Sequence, residues 1–150
     1  MRVAVACDHG GFPLKEPIIK AIQCLGYEAI DLGAFNEDKT DIPDYAQKAG
    51  EAVLSGQADR AVVICGSGVG ACIAANKMKG IYAGLCHDTY SAHQGVEHDN
   101  MNVLCLGARI IGVELAIEIV KNFLAAKFLN SGNYLRRFEK IQAIEKSSKE

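Results

Sequence analysis

Short runs of β-branched and apolar residues alternate along this chain with longer stretches whose apolar positions recur every three or four residues. That alternation is the mark of a parallel sheet covered by helices. Five runs read as strands: Val3 to Ala6, Glu28 to Asp31, Ala61 to Cys65, Ile81 to Cys86 and Val103 to Leu106. Several are almost unbroken apolar runs, as expected when helices cover both faces of a sheet. Between them, Leu14, Ile18, Ile22 and Leu25 fall at helical spacing after Pro13, with Gly26 as the stop. Further helices are predicted over Tyr45 to Leu54, Gly70 to Lys77, Tyr90 to Val96 and Val113 to Leu124. A last one runs from Arg136 to Ile144, beyond an Asn130-Ser131-Gly132-Asn133 breaker, and the hydrophilic end from Glu145 to Glu150 is expected to fray. The pattern predicts one α/β domain over residues 1–150, a doubly wound, Rossmann-like five-stranded parallel sheet with helices on both faces and a C-terminal helix.

Length and composition agree with a single core. A chain of 150 residues, 49% hydrophobic and 23% charged, is long enough to stabilise itself without disulfides or a structural metal. The six cysteines therefore need another account. None forms a C-x-x-C pair, so neither a zinc ribbon nor a thioredoxin-like motif is supported. Cys7, Cys24, Cys72 and Cys105 sit among apolar residues and read as small buried hydrophobes. Reduced thiols point to a cytoplasmic location. The first apolar run is cut by Asp8 and His9 too soon for a signal peptide. No stretch approaches the roughly 18 apolar residues of a membrane span, so no membrane partner is expected. A formal net charge of −2 offers no broad basic field to nucleic acid. Arg136, Arg137 and Lys140 form a local cluster, either a solvated helix face or an anion site.

In a doubly wound sheet, ligands bind beyond the carboxyl ends of the strands where the topology reverses. This selects Cys7 to Gly11, Cys65 to Gly70, His87 to Asp88 and Gly107 to Arg109. Cys65-Gly66-Ser67-Gly68-Val69-Gly70 follows a buried strand and precedes a helical segment, so its backbone N–H groups either converge on an anion or serve tight packing alone. A nucleoside-triphosphate loop would need Lys and Ser or Thr after the last glycine, where Ala71 and Cys72 stand. A dinucleotide fingerprint has its third glycine one residue later, and a cysteine-phosphatase loop needs an arginine where Ala71 lies. What remains is a cysteine facing amides and a helix dipole that favour negative charge on sulfur, hence a candidate base, against the reading of Cys65 as a packed inert thiol. Isomerising an aldose to a ketose needs such a base, donors for the enediolate oxygens and an acid to open the ring.

Asp8 and His9, just after the first strand, open onto the same edge as Cys65. They are placed to hydrogen-bond sugar hydroxyls, with a helix-capping or turn role as the alternative for Asp8. His98, read as lying in a loop before the fifth strand, is either a proton donor or an ordinary loop histidine. His87, His93, His98 and Cys86 lack the paired spacing of a metal site, so no metal is expected. Redox sensing through Cys65 or Cys86 is a separate reading.

Taken together, Cys7-Asp8-His9, Thr40 to Ala46, Cys65 to Gly70, Ile73 to Lys77, Asn102 to Leu104, Gly107-Ala108-Arg109 and Arg137 beside Glu139 give a sequence that resembles the type B ribose-5-phosphate isomerases. That group includes the galactose-6-phosphate isomerase subunits, and the likeness covers nearly the whole chain. It implies aldose–ketose isomerisation of a sugar phosphate, ribose 5-phosphate to ribulose 5-phosphate first, with Cys65 as the carbon-proton base. It also implies that Gly66, Ser67, Gly68, Val69 and Gly70 cradle anionic oxygens, that His98 assists ring opening, and that Asp8 and His9 position the sugar. Arg109 joins the substrate-binding set by its place in the Gly107-Ala108-Arg109 motif. No metal or organic cofactor is implied. A homodimer or dimer of dimers is, with the site at the subunit interface and Arg137 of the 131–150 segment reaching a partner's phosphate. Two positions depart from the family pattern: Asp99 stands where asparagine is usual, and Asn133 where a second phosphate-binding arginine is common, with Arg136 as its replacement. Asp99 is accordingly expected to meet a sugar hydroxyl or Arg109, and the alternative functions are a non-catalytic sugar-phosphate binder or an isomerase of a different pentose or hexose phosphate.

Overall fold

A computed structural model of the chain describes residues 1–148. At its centre is a five-stranded parallel sheet in the order β2-β1-β3-β5-β4. The strands are β1 (Arg2–Cys7), β2 (Glu28–Asp31), β3 (Arg60–Cys65), β4 (Ala83–Leu85) and β5 (Val103–Gly107). The helices among the described residues are α1 (Phe12–Cys24), α2 (Ile42–Leu54), α3 (Val69–Ala75), α4 (Thr89–Asp99), α5 (Val113–Ala125) and α6 (Gly132–Ser147).

Alternation along the strands divides the core in two. Val3, Val5, Val62, Ile64, Leu104 and Leu106 face one side, beneath Ile18 and Ile22 of α1 and Ile119 and Phe123 of α5. Ala4, Ala6, Val63, Cys65 and Cys105 face the other, beneath Ala46 and Ala49 of α2 and Ala71 and Ala75 of α3. The chain therefore leaves β1 for a helix on the first face and β3 for a helix on the second. Because β1 and β3 are neighbours, with Cys7 opposite Ile64, their loops part and open a crevice beyond the carboxyl edge.

The elements differ from the sequence-based expectation at their ends. β4 is limited to Ala83–Leu85, and side-chain amides meet the backbone where it begins: Asn102 Oδ1 accepts from Tyr82 N–H at 2.8 Å and Asn76 Oδ1 from Ala83 N–H at 2.8 Å. α4 runs on to Asp99 and closes at Asn100 in the left-handed region, φ 55°. His98 and Asp99 are thus helical, not loop residues. α6 starts at Gly132, inside the expected breaker, and continues to Ser147 where fraying was expected. Glu145 holds that end, its carboxylate accepting from Gly80 N–H at 2.7 Å and Tyr82 O–H at 2.9 Å. The last two residues of the expected fraying tail lie outside the described residues.

One buried cation anchors the segment between β2 and α2. Lys15 is 5% exposed, and its ammonium donates to Asp31 Oδ1 at 3.0 Å and to the Ala34 carbonyl at 2.5 Å. The rings of Phe12 and Phe35 lie 5.5 and 4.6 Å from it. A buried ammonium is tolerated only when paired and fully hydrogen-bonded. Here it ties α1 to the end of β2, where Ala34 N–H also donates to the Cys7 carbonyl at 2.8 Å.

The turn after β1 passes so close to β3 that a Cβ on Gly11 would lie 2.1 Å from the Ile64 carbonyl oxygen. Gly11→Ala is expected to lower unfolding free energy by about 3 kcal/mol, the cost of forcing an extra carbon into packed backbone, read as a reduced urea midpoint at unchanged slope.

Candidate active site

The crevice between β1 and β3 contains an open cavity of about 390 Å³ lined by Asp8, Ile42, Cys65, Gly66, Ser67, Gly70, Arg109 and Ile110. Cys65, the last residue of β3, is 5% exposed. Its Sγ accepts the Gly68 N–H at 3.0 Å. That bond depends on Gly68 taking the left-handed conformation, φ 79°, with no room for a side chain: a Cβ there would come within 2.9 Å of the Leu106 carbonyl carbon. Val69 N–H turns instead to Ser67 Oγ at 3.3 Å, and the exposed Val69 side chain lies off the cavity wall. Of the five loop residues expected to cradle an anion, Gly66, Ser67 and Gly70 line the cavity.

Asp8 combines both roles weighed for it. Its Oδ1 accepts Gly11 N–H at 2.9 Å, closing the turn, while the carboxylate, 8% exposed, forms part of the cavity wall. Arg109 enters from the turn after β5. Its N–H donates to the Gly66 carbonyl at 3.0 Å, and its guanidinium lies over Gly66, where a Cβ would be 3.1 Å from Nη1. Asp8 and Arg109 each lack an ion pair among the described residues, so a carboxylate and a guanidinium stand ready on one wall. His9 follows Asp8 and is bonded to the segment before α2: its N–H donates to Thr40 Oγ1 at 3.1 Å, and its Nδ1 accepts Thr40 N–H at 3.2 Å.

His9 flanks the cavity without lining it, and His98, Asp99 and Arg137 do not join this wall. α4 begins after β4 at the carboxyl edge and returns to the start of β5, so His98 in its last turn stands at the amino edge, opposite Cys65. The His98 ring stacks on Tyr134 of α6, centroids 4.5 Å apart and planes 25° apart. Asp99 lines a separate cavity of about 310 Å³ with Asn76, Tyr82 and Ser91, not one shared with Arg109. Arg136 and Arg137 are exposed on α6. A larger open groove of about 680 Å³ runs between α6 and the segment after α3, sharing no residue with the Cys65 cavity. Ile42 and Ile110, apolar walls of the site, were not among the expected site residues: Ile42 enters the sequence reading only within the Thr40 to Ala46 match, and a lone isoleucine at a helix start or in a turn reads as packing.

His87 Nε2 accepts the Gly107 N–H at 3.0 Å, and His93 pairs with Glu97 at 3.3 Å. Among the described residues no group of three or more His, Cys, Asp and Glu is placed to hold a metal. No helix among them is long and apolar enough to cross a membrane. The cysteines divide differently from the sequence reading. Cys7 and Cys105 are fully buried, but Cys24 is exposed and Cys72 half-buried. Burial pushes the Cys86 thiol up to about 11, which leaves little thiolate for the redox role considered for it. Cys72 is instead lowered to about 7, chiefly by a hydrogen bond from the Cys105 thiol and also by the Asn76 amide.

Comparison with known proteins gives a consistent picture. The family model described as Ribose/Galactose Isomerase matches residues 3–141. A ribose-5-phosphate isomerase B of Escherichia coli is 43% identical over 144 residues, 96% of each chain. A D-erythrulose-4-phosphate isomerase of Mycolicibacterium smegmatis is 40% identical over 132 residues, 85% of this chain and 86% of that one. Among solved structures, the ribose-5-phosphate isomerase B of Clostridium thermocellum superposes with a TM-score of 0.94 at 44% identity, covering 97% of this chain and 98% of that one.

The thiol ordering is open to alkylation with iodoacetamide followed by peptide mapping. Cys72 should label at a rate that climbs through about pH 7 and then levels off, because only the thiolate reacts. Cys7 and Cys86, both pushed up to about 11 by burial, should stay unlabelled over the same range.

Proposed function

Because the chain belongs to the ribose/galactose isomerase family, and so is an aldose–ketose isomerase of sugar phosphates, we propose that it interconverts ribose 5-phosphate and ribulose 5-phosphate with Cys65 as the carbon base. The observation that carries this reading is the placing of the Cys65 sulfur, bonded to Gly68 N–H at 3.0 Å, on the wall of a cavity that Asp8 and Arg109 also line. An N–H aimed at sulfur stabilises negative charge there. The Cys65 thiolate removes the proton from C2 of the open-chain aldose and O1 is protonated; the enediolate then takes a proton at C1 as the O2 proton leaves, giving the ketose. Atoms and electrons balance within the substrate, so no external oxidant or reductant is required.

Amides bordering the cavity at Gly66, Ser67 and Gly70 receive the charge that develops on O1 and O2, where pre-oriented donors act most strongly. Asp8, with one oxygen committed to Gly11, offers the other to a sugar hydroxyl. His9 steadies the sugar beside it, and Arg109 binds an anionic oxygen. A furanose must open before C2 can be deprotonated, and a tetrose 4-phosphate has no free hydroxyl with which to close such a ring. The ring-opening role given to His98 therefore favours a pentose or hexose substrate over a tetrose.

His98 and Arg137 can serve only if a second copy brings them. Each stands away from its own Cys65 cavity, and the exposed Val69, Ile73 and Ile110 around that cavity, 46%, 58% and 58% accessible, offer an apolar surface for a second subunit. The proposed enzyme is therefore a homodimer, or a dimer of dimers, with two composite sites per pair and Arg137 of one copy holding the phosphate bound to the other.

Two measurements test this. With ribose 5-phosphate in deuterated water, wild type should incorporate deuterium at carbon, and Cys65→Ser should slow incorporation by about 10²–10⁴-fold, the usual contribution of a positioned base; exchange surviving in the variant at the wild-type rate removes Cys65 from its role. Cys65→Ser and His98→Asn, each inactive alone, should recover about a quarter of wild-type activity after subunit mixing, since half the dimers in a symmetric pool are mixed and each mixed dimer has one intact site of two. Mixing without recovery would place both residues in the same chain's site.

A further inference from the structure

The Thr40 backbone and side chain meet His9 in a reciprocal pair of hydrogen bonds: His9 N–H donates to Thr40 Oγ1 at 3.1 Å, and Thr40 N–H donates to His9 Nδ1 at 3.2 Å. A main-chain N–H can only donate, so the imidazole nitrogen it meets must present a lone pair. The ring proton then sits on Nε2, and the bonding network assigns the tautomer. We propose that Thr40 is a positioning residue of the isomerase, holding His9 in the single neutral form whose Nε2–H is free to donate to the substrate. The inference rests on the reading of His9 as a substrate-positioning group.

Three further features support a role beyond mooring the segment between β2 and α2. That segment already has its own anchors, from Lys15 to the Ala34 carbonyl and from Ala34 N–H to the Cys7 carbonyl. The clamp instead joins the next stretch to the residue after Asp8. Its two ends flank the cavity, since Asp8 precedes His9 and Ile42 lies two residues beyond Thr40, and both line the wall. Finally, Ile42 packs on the glycine loop itself, its Cγ2 lying 3.3 Å from where a Cβ on Gly70 would be. Thr40 thus couples the orientation of the imidazole to the shape of the cavity.

The test combines nitrogen NMR of the full-length, ¹⁵N-histidine-labelled protein with steady-state kinetics on ribose 5-phosphate. Wild-type His9 should show an unprotonated Nδ1 and a protonated Nε2 as its sole neutral form. Thr40→Ser, which keeps the hydroxyl and the N–H, should retain that form and kcat/KM within about twofold. Thr40→Val, close in shape but without the hydroxyl that accepts His9 N–H, keeps the main-chain N–H facing Nδ1. It should therefore keep the Nε2-protonated form yet show a kcat/KM about fivefold lower, the size of one lost hydrogen bond, with the loss falling on KM because a sugar-positioning group holds ground and transition states alike. An Nδ1-protonated or mixed ring in the wild type would overturn the proposal, as would Val and Ser variants of equal kcat/KM. A wild type with the expected tautomer but no turnover of any sugar phosphate would sink the isomerase reading and leave the clamp standing.

Discussion

At the carboxyl edge of the sheet, three loops meet with their backbones in contact. A Cβ on Gly11 would lie 2.1 Å from the Ile64 carbonyl oxygen, one on Gly107 2.6 Å from the Ser67 carbonyl, and one on Gly68 3.1 Å from the Gly107 N–H. Side chains elsewhere keep neighbouring segments apart; here their absence lets the turns after β1, β3 and β5 interlock. Asp8, Cys65 and Arg109 reach one cavity because each belongs to one of those turns. The chemistry proposed for the site is a consequence of that contact, since the sulfur finds its amide donor only where Gly68 can take a left-handed conformation beneath β5.

Around this rigid edge the structure commits charge sparingly. The buried ammonium of Lys15 is spent on the segment between β2 and α2 and takes no part in the cavity. The charged residues that line the cavity are one carboxylate, Asp8, and one guanidinium, Arg109, beside Cys65 and the glycine loop. This arrangement suits an anionic intermediate whose charge moves along two adjacent oxygens, because peptide dipoles need no counter-ion and do not reorganise during the reaction.

His98 and Asp99, two of the groups implied by the family resemblance, lie at the opposite edge of the sheet. The cause is the direction of α4: a helix that returns a parallel strand to its neighbour must run antiparallel to the sheet, carrying its last residues away from the edge where ligands bind. His98 is held there by stacking on Tyr134, a contact that fixes how the imidazole would be offered to another subunit.

The sequence by itself determined the order and type of the elements, because helical periodicity, short β-branched apolar runs and the positions of Gly and Pro are local properties that packing did not override. It also singled out the loops after β1, β3 and β5, since strand ends in a doubly wound sheet follow from element order alone. Tertiary structure decided what depends on non-local neighbours: that Asn102 and Asn76 take the N–H groups of Tyr82 and Ala83 where β4 begins, that the Cys72 thiol is lowered while burial raises that of Cys86, that Ile42 and Ile110 wall the cavity, and that His98 lies in the last turn of a helix and not in a loop. Burial, partner and edge are set by residues distant in the chain, and a single sequence carries no local mark of them.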